Sequence, residues 1–265
     1  MARISPSPLH NRGGITAMGN ALELQDVGRR FGALHAVKGV SLKVPPGQRH
    51  AILGPNGAGK TTLFNLVCGD FPPTSGQIIA FGEDLTRRPA LHRARIGIGR
   101  TYQTSLLFTG LSVLDNLLVA IRGARKGRFS MLPSGAGGED VTRARELAER
   151  VRLAHRADAE VATLSHGQRR QLELGMALAC QPRLLMLDEP AAGLSPAERP
   201  ELNQMLKDLP RDITLILIEH DMDVALPISD MVTVMKDGEI VVQETPDKIT
   251  SNPVVNRIYL GQGHG

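Results

Sequence analysis

The chain has 265 residues, 42% of them apolar and 22% charged, a balance that supports a sizeable buried core and excludes both a disordered chain and a small disulfide-stapled scaffold. Lys and Arg number 31 against 27 acids, a formal charge of +4, while aromatics make up only 3% and Trp is absent. The basic clusters around Arg87 and Arg122 therefore lack rings that could stack on bases; they read as solvated surface, and nucleic acid is not an expected partner. Cys68 and Cys180 lie far apart with no Cys-x-x-Cys spacing, which predicts two core-filling thiols and neither a disulfide framework nor a zinc site. The histidines show no pair at metal-ligand spacing on a common helix. No apolar run approaches the length of about 20 residues needed to cross a bilayer, and no signal-peptide segment is evident, so a cytoplasmic chain is expected.

Residues 1–20, rich in Ser, Pro, Gly and Asn, read as a mobile tail. Short apolar runs broken by Gly and Pro then predict strands over Leu22–Val27, Ala36–Val44, His50–Leu53, Ile78–Phe81 and Ile96–Tyr102. The stretch Val113–Ala179 changes character and reads as a helical insertion, with helical spacing over Val141–Leu153 and Gln168–Cys180. Arg122–Glu139 carries five glycines without a sustained period and predicts a surface loop. After Pro182 the strand pattern returns as Leu184–Leu187, followed by a helix over Pro196–Leu209, then strands Ile213–Ile218, Met231–Met235 and Ile240–Val242. Lys236-Asp237-Gly238 reads as a hairpin turn. Strand, helix, strand in this order predicts an α/β fold with a parallel core.

Gly54-Pro55-Asn56-Gly57-Ala58-Gly59-Lys60-Thr61-Thr62 satisfies the G-x-x-x-x-G-K-[ST] pattern between a predicted strand and a helical stretch. Glycines at 54, 57 and 59 let successive N–H groups close around an anion, and the following helix adds its positive end. Lys60 is expected to reach the β- and γ-phosphates, Thr61 to ligate Mg²⁺ and Thr62 to add a phosphate contact. Leu184-Leu-Met-Leu-Asp188-Glu189-Pro190 reads as a buried parallel strand whose carboxyl end opens on the ligand side of the sheet. Asp188 is placed to hold Mg²⁺ or its water, and Glu189 to polarise the attacking water.

Leu164-Ser165-His166-Gly167-Gln168, standing upstream of that acidic strand end, resembles the signature motif of the ATPase subunits of ATP-binding cassette transporters, and the resemblance runs from Ala21 to Leu260. It implies a P-loop NTPase with a RecA-like parallel-sheet core, an antiparallel β subdomain and a helical signature subdomain, ATP and Mg²⁺ as cofactors, and ATP hydrolysis as the activity. The divisions expected are 1–20 as tail, 21–103 and 183–245 as the two parts of the nucleotide-binding core, 104–182 as the helical subdomain and 246–265 as a C-terminal extension. Three further roles are implied. Gln103 matches the glutamine that senses Mg²⁺ and the attacking water, His220 matches the switch histidine at the γ-phosphate, and Phe31 matches the aromatic that stacks on adenine. Ser165, Gly167 and Gln168 would contact nucleotide. A serine and backbone amides at a helix start form an anion site, but one lying in the helical insertion, away from the chain's own phosphate loop, so they need a second chain's ATP. The implied assembly is a homodimer, or a heterodimer with a paralogous ATPase subunit. Two departures stand out: His166 replaces the usual second glycine, and Ser195 stands where many relatives carry an aspartate.

The stretches Asp188–Pro196, Arg100–Leu118 and Tyr259-Leu260-Gly261 most resemble the importer ATPases for branched-chain amino acids. That implies two transmembrane permease subunits, an extracytoplasmic substrate-binding protein reached indirectly, and a peripheral position on the cytoplasmic face of the inner membrane. Leu106, Leu107 and Phe108 would form an apolar floor for the permease. Urea or short-amide importers and the lipopolysaccharide exporter share this layout, as more distantly do soluble cassettes that act on DNA or ribosomes.

Overall fold

The structure, a computed structural model, describes residues 19–101, 107–124 and 137–260. Strands β1 (Leu22–Phe31) and β2 (Leu34–Val44) form an antiparallel hairpin. In the order β2-β1-β4-β5 they make a four-stranded antiparallel sheet with β4 (Ser75–Ala80) and the short β5 (Glu83–Asp84). The second sheet has six strands in the order β10-β9-β3-β8-β7-β6. Its members are β3 (Arg49–Leu53), β6 (Ile98–Arg100), β7 (Leu184–Asp188), β8 (Thr214–Glu219), β9 (Met231–Lys236) and β10 (Glu239–Glu244). All its pairings are parallel except β9 with β10.

Every residue of β3, β7 and β8 is buried, as a parallel strand covered on both faces must be. The period of two divides them between two cores. Leu185, Leu187, Leu215 and Leu217 join one cluster, whereas Leu184, Met186, Ile216 and Ile218 join the other. The first lies against the helices α3 (Val113–Ala124), α4 (Gly137–Arg150) and α5 (His166–Ala179), through Leu117, Ala148 and Leu172. The second joins the antiparallel sheet to helix α1 (Lys60–Cys68), through Leu24, Val27, Leu63 and Leu66. Helix α2 (Ala90–Arg95) precedes β6. Helices α6 (Arg199–Lys207), α7 (Met222–Ala225), α8 (Pro246–Ser251) and α9 (Pro253–Leu260) complete the chain.

The sequence expectations meet this architecture with local corrections. The expected surface loop is narrower than Arg122–Glu139, because α3 continues to Ala124 and α4 begins at Gly137; residues 125–136 lie outside the described residues, as does most of the expected tail. Helix α5 starts two residues before the expected Gln168, because Ser165 itself caps it. Helix α6 starts at Arg199, three residues after the expected Pro196. Cys68 is buried as expected, but Cys180, just past the end of α5, is exposed. The turn between β9 and β10 has positive φ at Asp237 (51°) and Gly238 (86°), which is the geometry that suits a right-twisted hairpin.

Candidate functional site

The phosphate loop leaves β3 at the carboxyl edge of the parallel sheet and turns directly into α1. Gly59 holds a left-handed φ of 95° as the residue before the helix, and a Cβ there would collide with the Ala36 carbonyl oxygen of β2. At Gly54 a Cβ would collide with the Met235 carbonyl oxygen of β9. The loop is therefore pressed between the two sheets, and glycine is what lets it fit. A cavity of about 430 Å³ opens over it, walled by Asn56–Thr62, by Leu34, His35, Ala36 and Lys38 of β2, and by Glu189, Asp237 and Gly238.

Lys60 is only 5% exposed and donates to the carbonyl oxygens of Gly54 (2.7 Å) and Pro55 (3.0 Å). Burial pulls its pKa down, while Glu189, Asp188 and Glu219 oppose the shift. The cation thus stays where a polyphosphate would lie. Thr61 and Thr62 stand on the first turn of α1, facing the same cavity. Among the described residues no group of three His, Cys, Asp or Glu side chains forms a ready-made metal cage. The buried Asp188 at the end of β7 and the Thr61 hydroxyl offer two oxygen ligands, which suits Mg²⁺, a cation bound through one or two protein oxygens plus phosphate and water.

Glu189 follows β7 with φ 46°, a left-handed conformation that L-residues avoid. Its N–H donates to the Ile218 carbonyl of β8 at 2.8 Å, and its carbonyl accepts from Ala192 N at 3.0 Å. The tight turn swings its carboxylate onto the cavity wall. His220 Nδ1 lies 3.4 Å from Glu189 Oε1 and 3.9 Å from Glu219 Oε2.

Glu219 was missed by the sequence reading. It ends β8 as Asp188 ends β7, so an acid closing an apolar run was the available signal. It is 1% exposed, accepts from Ala191 N at 3.2 Å, and is pushed up by burial to about 6.

The other sequence candidates are placed as follows. Ser165 Oγ accepts from Gln168 N (3.2 Å) and Gln168 Oε1 accepts from Ser165 N (3.1 Å), a reciprocal box at the start of α5. Neither of them, nor Gly167, lines the cavity over Lys60. Phe31 is not on the cavity wall either: its ring meets Phe71 edge-on at 5.4 Å, the Arg29 guanidinium lies 4.6 Å from its centroid, and its register partner Leu34 lines the cavity instead. Gln103 and Leu106 lie outside the described residues. Leu107 packs against the larger core, whereas Phe108 is half exposed, so the expected apolar floor is reduced to Phe108 among the described residues.

A lysine-bearing glycine loop facing acids at the neighbouring strand ends defines a P-loop nucleoside triphosphatase, and the helical segment opening at Ser165 narrows the class. The ABC transporter family matches residues 37–192, and the chain belongs to it; cassettes of this family are ATPases that drive transport. The high-affinity branched-chain amino acid transport ATP-binding protein LivG of Escherichia coli (strain K12) is 42% identical over 241 residues, 88% of this chain and 94% of that protein. The crystal structure of the ADP conformation of MJ1267, an ATP-binding cassette of an ABC transporter, matches with TM-score 0.82 and 30% identity over 92% of this chain and 99% of that one. A dimeric structure of a post-hydrolysis state of the cassette MJ0796 bound to ADP and Pi matches with TM-score 0.72 and 26% identity, over 85% of this chain and 98% of that one. No helix among the described residues is long and apolar enough to cross a membrane.

Proposed function

We propose that this chain hydrolyses ATP as the energising subunit of an importer for branched-chain amino acids. The substrate comes from the names of its relatives, since nothing in the chain need touch the cargo. The carrying observation is that Lys60 and Glu189 line one cavity over the glycine loop, with His220 Nδ1 3.4 Å from the Glu189 carboxylate. The loop N–H groups from Gly54 to Gly59, Pro55 excepted, and Lys60 hold the β- and γ-phosphates; Thr62 adds a contact. Mg²⁺, when bound, would neutralise charge on those phosphates, with Thr61 and Asp188 as its protein ligands and Gln103 beside it. Glu189 accepts a proton from the attacking water, and His220 steadies the γ-phosphate and the Glu189 carboxylate. Adenine lies on the β2 side, with Leu34 and His35 on the wall and Phe31 reaching it by turning from Phe71.

Ser165, Gly167 and Gln168 complete the phosphate site of a facing subunit, a reading supported by their position off the chain's own cavity and by the dimeric cassette described above. Two permease subunits dock near Phe108, on the cytoplasmic face of the inner membrane, and receive cargo from an extracytoplasmic binding protein. Glu189→Gln tests the chemistry: it should bind ATP, stop turnover and accumulate an ATP-bound dimer in gel filtration. Turnover at the parent rate would refute the assignment.

A further inference from the structure

The two departures in the sequence, His166 and Ser195, each hydrogen-bond within the stretch 192–198. Ser195-Pro-Ala-Glu198 folds back on itself, so that Glu198 Oε2 accepts from Ser195 N at 2.9 Å and from Ser195 Oγ at 2.8 Å. The other carboxylate oxygen faces Gly167 of the signature turn. A Cβ at 167 would lie 2.6 Å from Glu198 Oε1, so the carboxylate packs directly against the glycine. One side chain therefore ties the loop leading out of Glu189 to the turn that opens α5.

His166 makes a second tie. Its Nε2 lies 3.1 Å from the Ala192 carbonyl oxygen, which can only accept, so the ring carries its proton on Nε2. Gly193, with φ 77°, leaves room for that ring, because a Cβ there would stand 2.7 Å from Nε2. Arg199, which follows Glu198, donates to Asp221 Oδ2 at 2.6 Å, while Asp221 Oδ1 caps α7 by accepting from Asp223 N. Asp221 directly follows His220. The stretch 192–199 thus grips the signature turn on one side and the segment behind the switch histidine on the other.

We infer that Glu198 is a positioning residue: it fastens Gly167 to the loop that follows Glu189, so that the state of a subunit's own phosphate site sets where its Ser165 and Gly167 stand at the partner's nucleotide. The inference rests on the dimeric reading proposed above. It also assigns the carboxylate missing at Ser195 to a residue three positions on, and gives His166 a task that glycine at that position could not perform. Coupling between two sites requires an element whose position both sites bias, and this stretch touches groups belonging to both.

The test uses the full chain with Glu198→Ala and Glu198→Gln, each also placed in the Glu189→Gln background. A fluorescent ATP analogue should bind the monomeric form with unchanged affinity, because Glu198 does not line the cavity over Lys60. The ATP-driven dimer of Glu198→Ala/Glu189→Gln should weaken about tenfold, and the Hill coefficient of hydrolysis in Glu198→Ala should fall from about two toward one. Glu198→Gln, which keeps one acceptor oxygen, should restore part of both. A Glu198→Ala dimer of parental affinity overturns the inference, as does a parental Hill coefficient accompanied only by a lower melting temperature. If Glu189→Gln alone never dimerises with ATP, the dimeric reading fails and the inference falls with it.

Discussion

Glu219 offers a direct test of how the Glu189 turn is held. The left-handed φ of 46° at Glu189 costs an L-residue about 1–2 kcal/mol, so contacts around it must enforce the turn. Two of these are backbone bonds that any variant keeps, from Glu189 N to Ile218 O and from Ala192 N to Glu189 O. The third, from Ala191 N to the buried Glu219 carboxylate at 3.2 Å, disappears in Glu219→Ala and leaves an amide without its acceptor, a loss of roughly 1–3 kcal/mol. That matches the strain it opposes, so the turn should relax and carry Glu189 away from the cavity. A displacement of this kind is expected to lower kcat by about tenfold to a hundredfold, with little change in nucleotide affinity. Glu219→Gln keeps an acceptor oxygen and should retain most of the rate.

The same residue makes a pH prediction of definite sign. Burial, the largest cause, raises Glu219 from 4.5 to about 6 in the folded chain. The native state therefore binds its proton more tightly than the unfolded chain between those values. Its contribution to stability is fully present below 4.5 and is lost as pH rises through 6. The span of about 1.5 units corresponds to roughly 2 kcal/mol. Urea midpoints of the parent and Glu219→Gln, measured from about pH 4.5 to 7, should differ by an amount that declines by that much across the range. A pH-independent difference, or Glu219→Ala with parental kcat, would refute the reasoning.

Two other buried groups yield predictions of their own. His50 lies within β3 between Gln48 Oε1 (3.1 Å) and Thr233 Oγ1 (2.7 Å), and burial drives it from 6.5 to about 4; its stabilising effect is present above 6.5 and lost as pH falls toward 4, roughly 3 kcal/mol in all. His50→Gln should flatten that acid limb in urea titrations, and an equally steep limb would exclude His50 as its source. Arg93, 1% exposed, donates to Leu66 O and Val67 O at the end of α1 and to Leu85 O and Arg88 O. Arg93→Met strands four carbonyls and should cost about 3 kcal/mol or more in denaturant unfolding; a loss under about 1 kcal/mol would show that these bonds are replaced by water.

What the sequence made legible follows from how locally each feature is determined. The phosphate loop needs particular backbone shapes from nine consecutive residues, so its glycines, lysine and threonines declare it. The apolar runs ending at Leu53, Leu187 and Ile218 likewise announce strands buried on both faces. Strand β5 and helix α2 have two and six residues, too few for any period to appear. Arg93 sits in a basic stretch that reads as solvated surface, and only the fold reveals the helix end it caps. The place of the Phe31 ring was illegible for a similar reason: it packs on Phe71, remote in sequence, and on Arg29, turned toward it along β1. The capping box at Ser165 was hidden inside a motif noticed for its chemistry, so the helix start was placed too late.

Parallel pairing explains why the acids converge. The register sets Leu53 beside Glu219 and Asp188 beside Ile218, so β3, β7 and β8 end together and their following residues share one edge. Lys60 there faces Asp188, Glu189 and Glu219, an excess of negative charge before any phosphate arrives. A triphosphate can lodge only because loop amides, the α1 dipole and Lys60, with Mg²⁺ on the proposed reading, outweigh those acids. On that reading, cleavage separates the γ-phosphate from the diphosphate that most of these donors would hold, and would leave inorganic phosphate nearest the carboxylates. On the proposed reading, Glu189, which accepts the water's proton, is then also a charge that repels the product, which gives the proposed closed dimer a built-in reason to open.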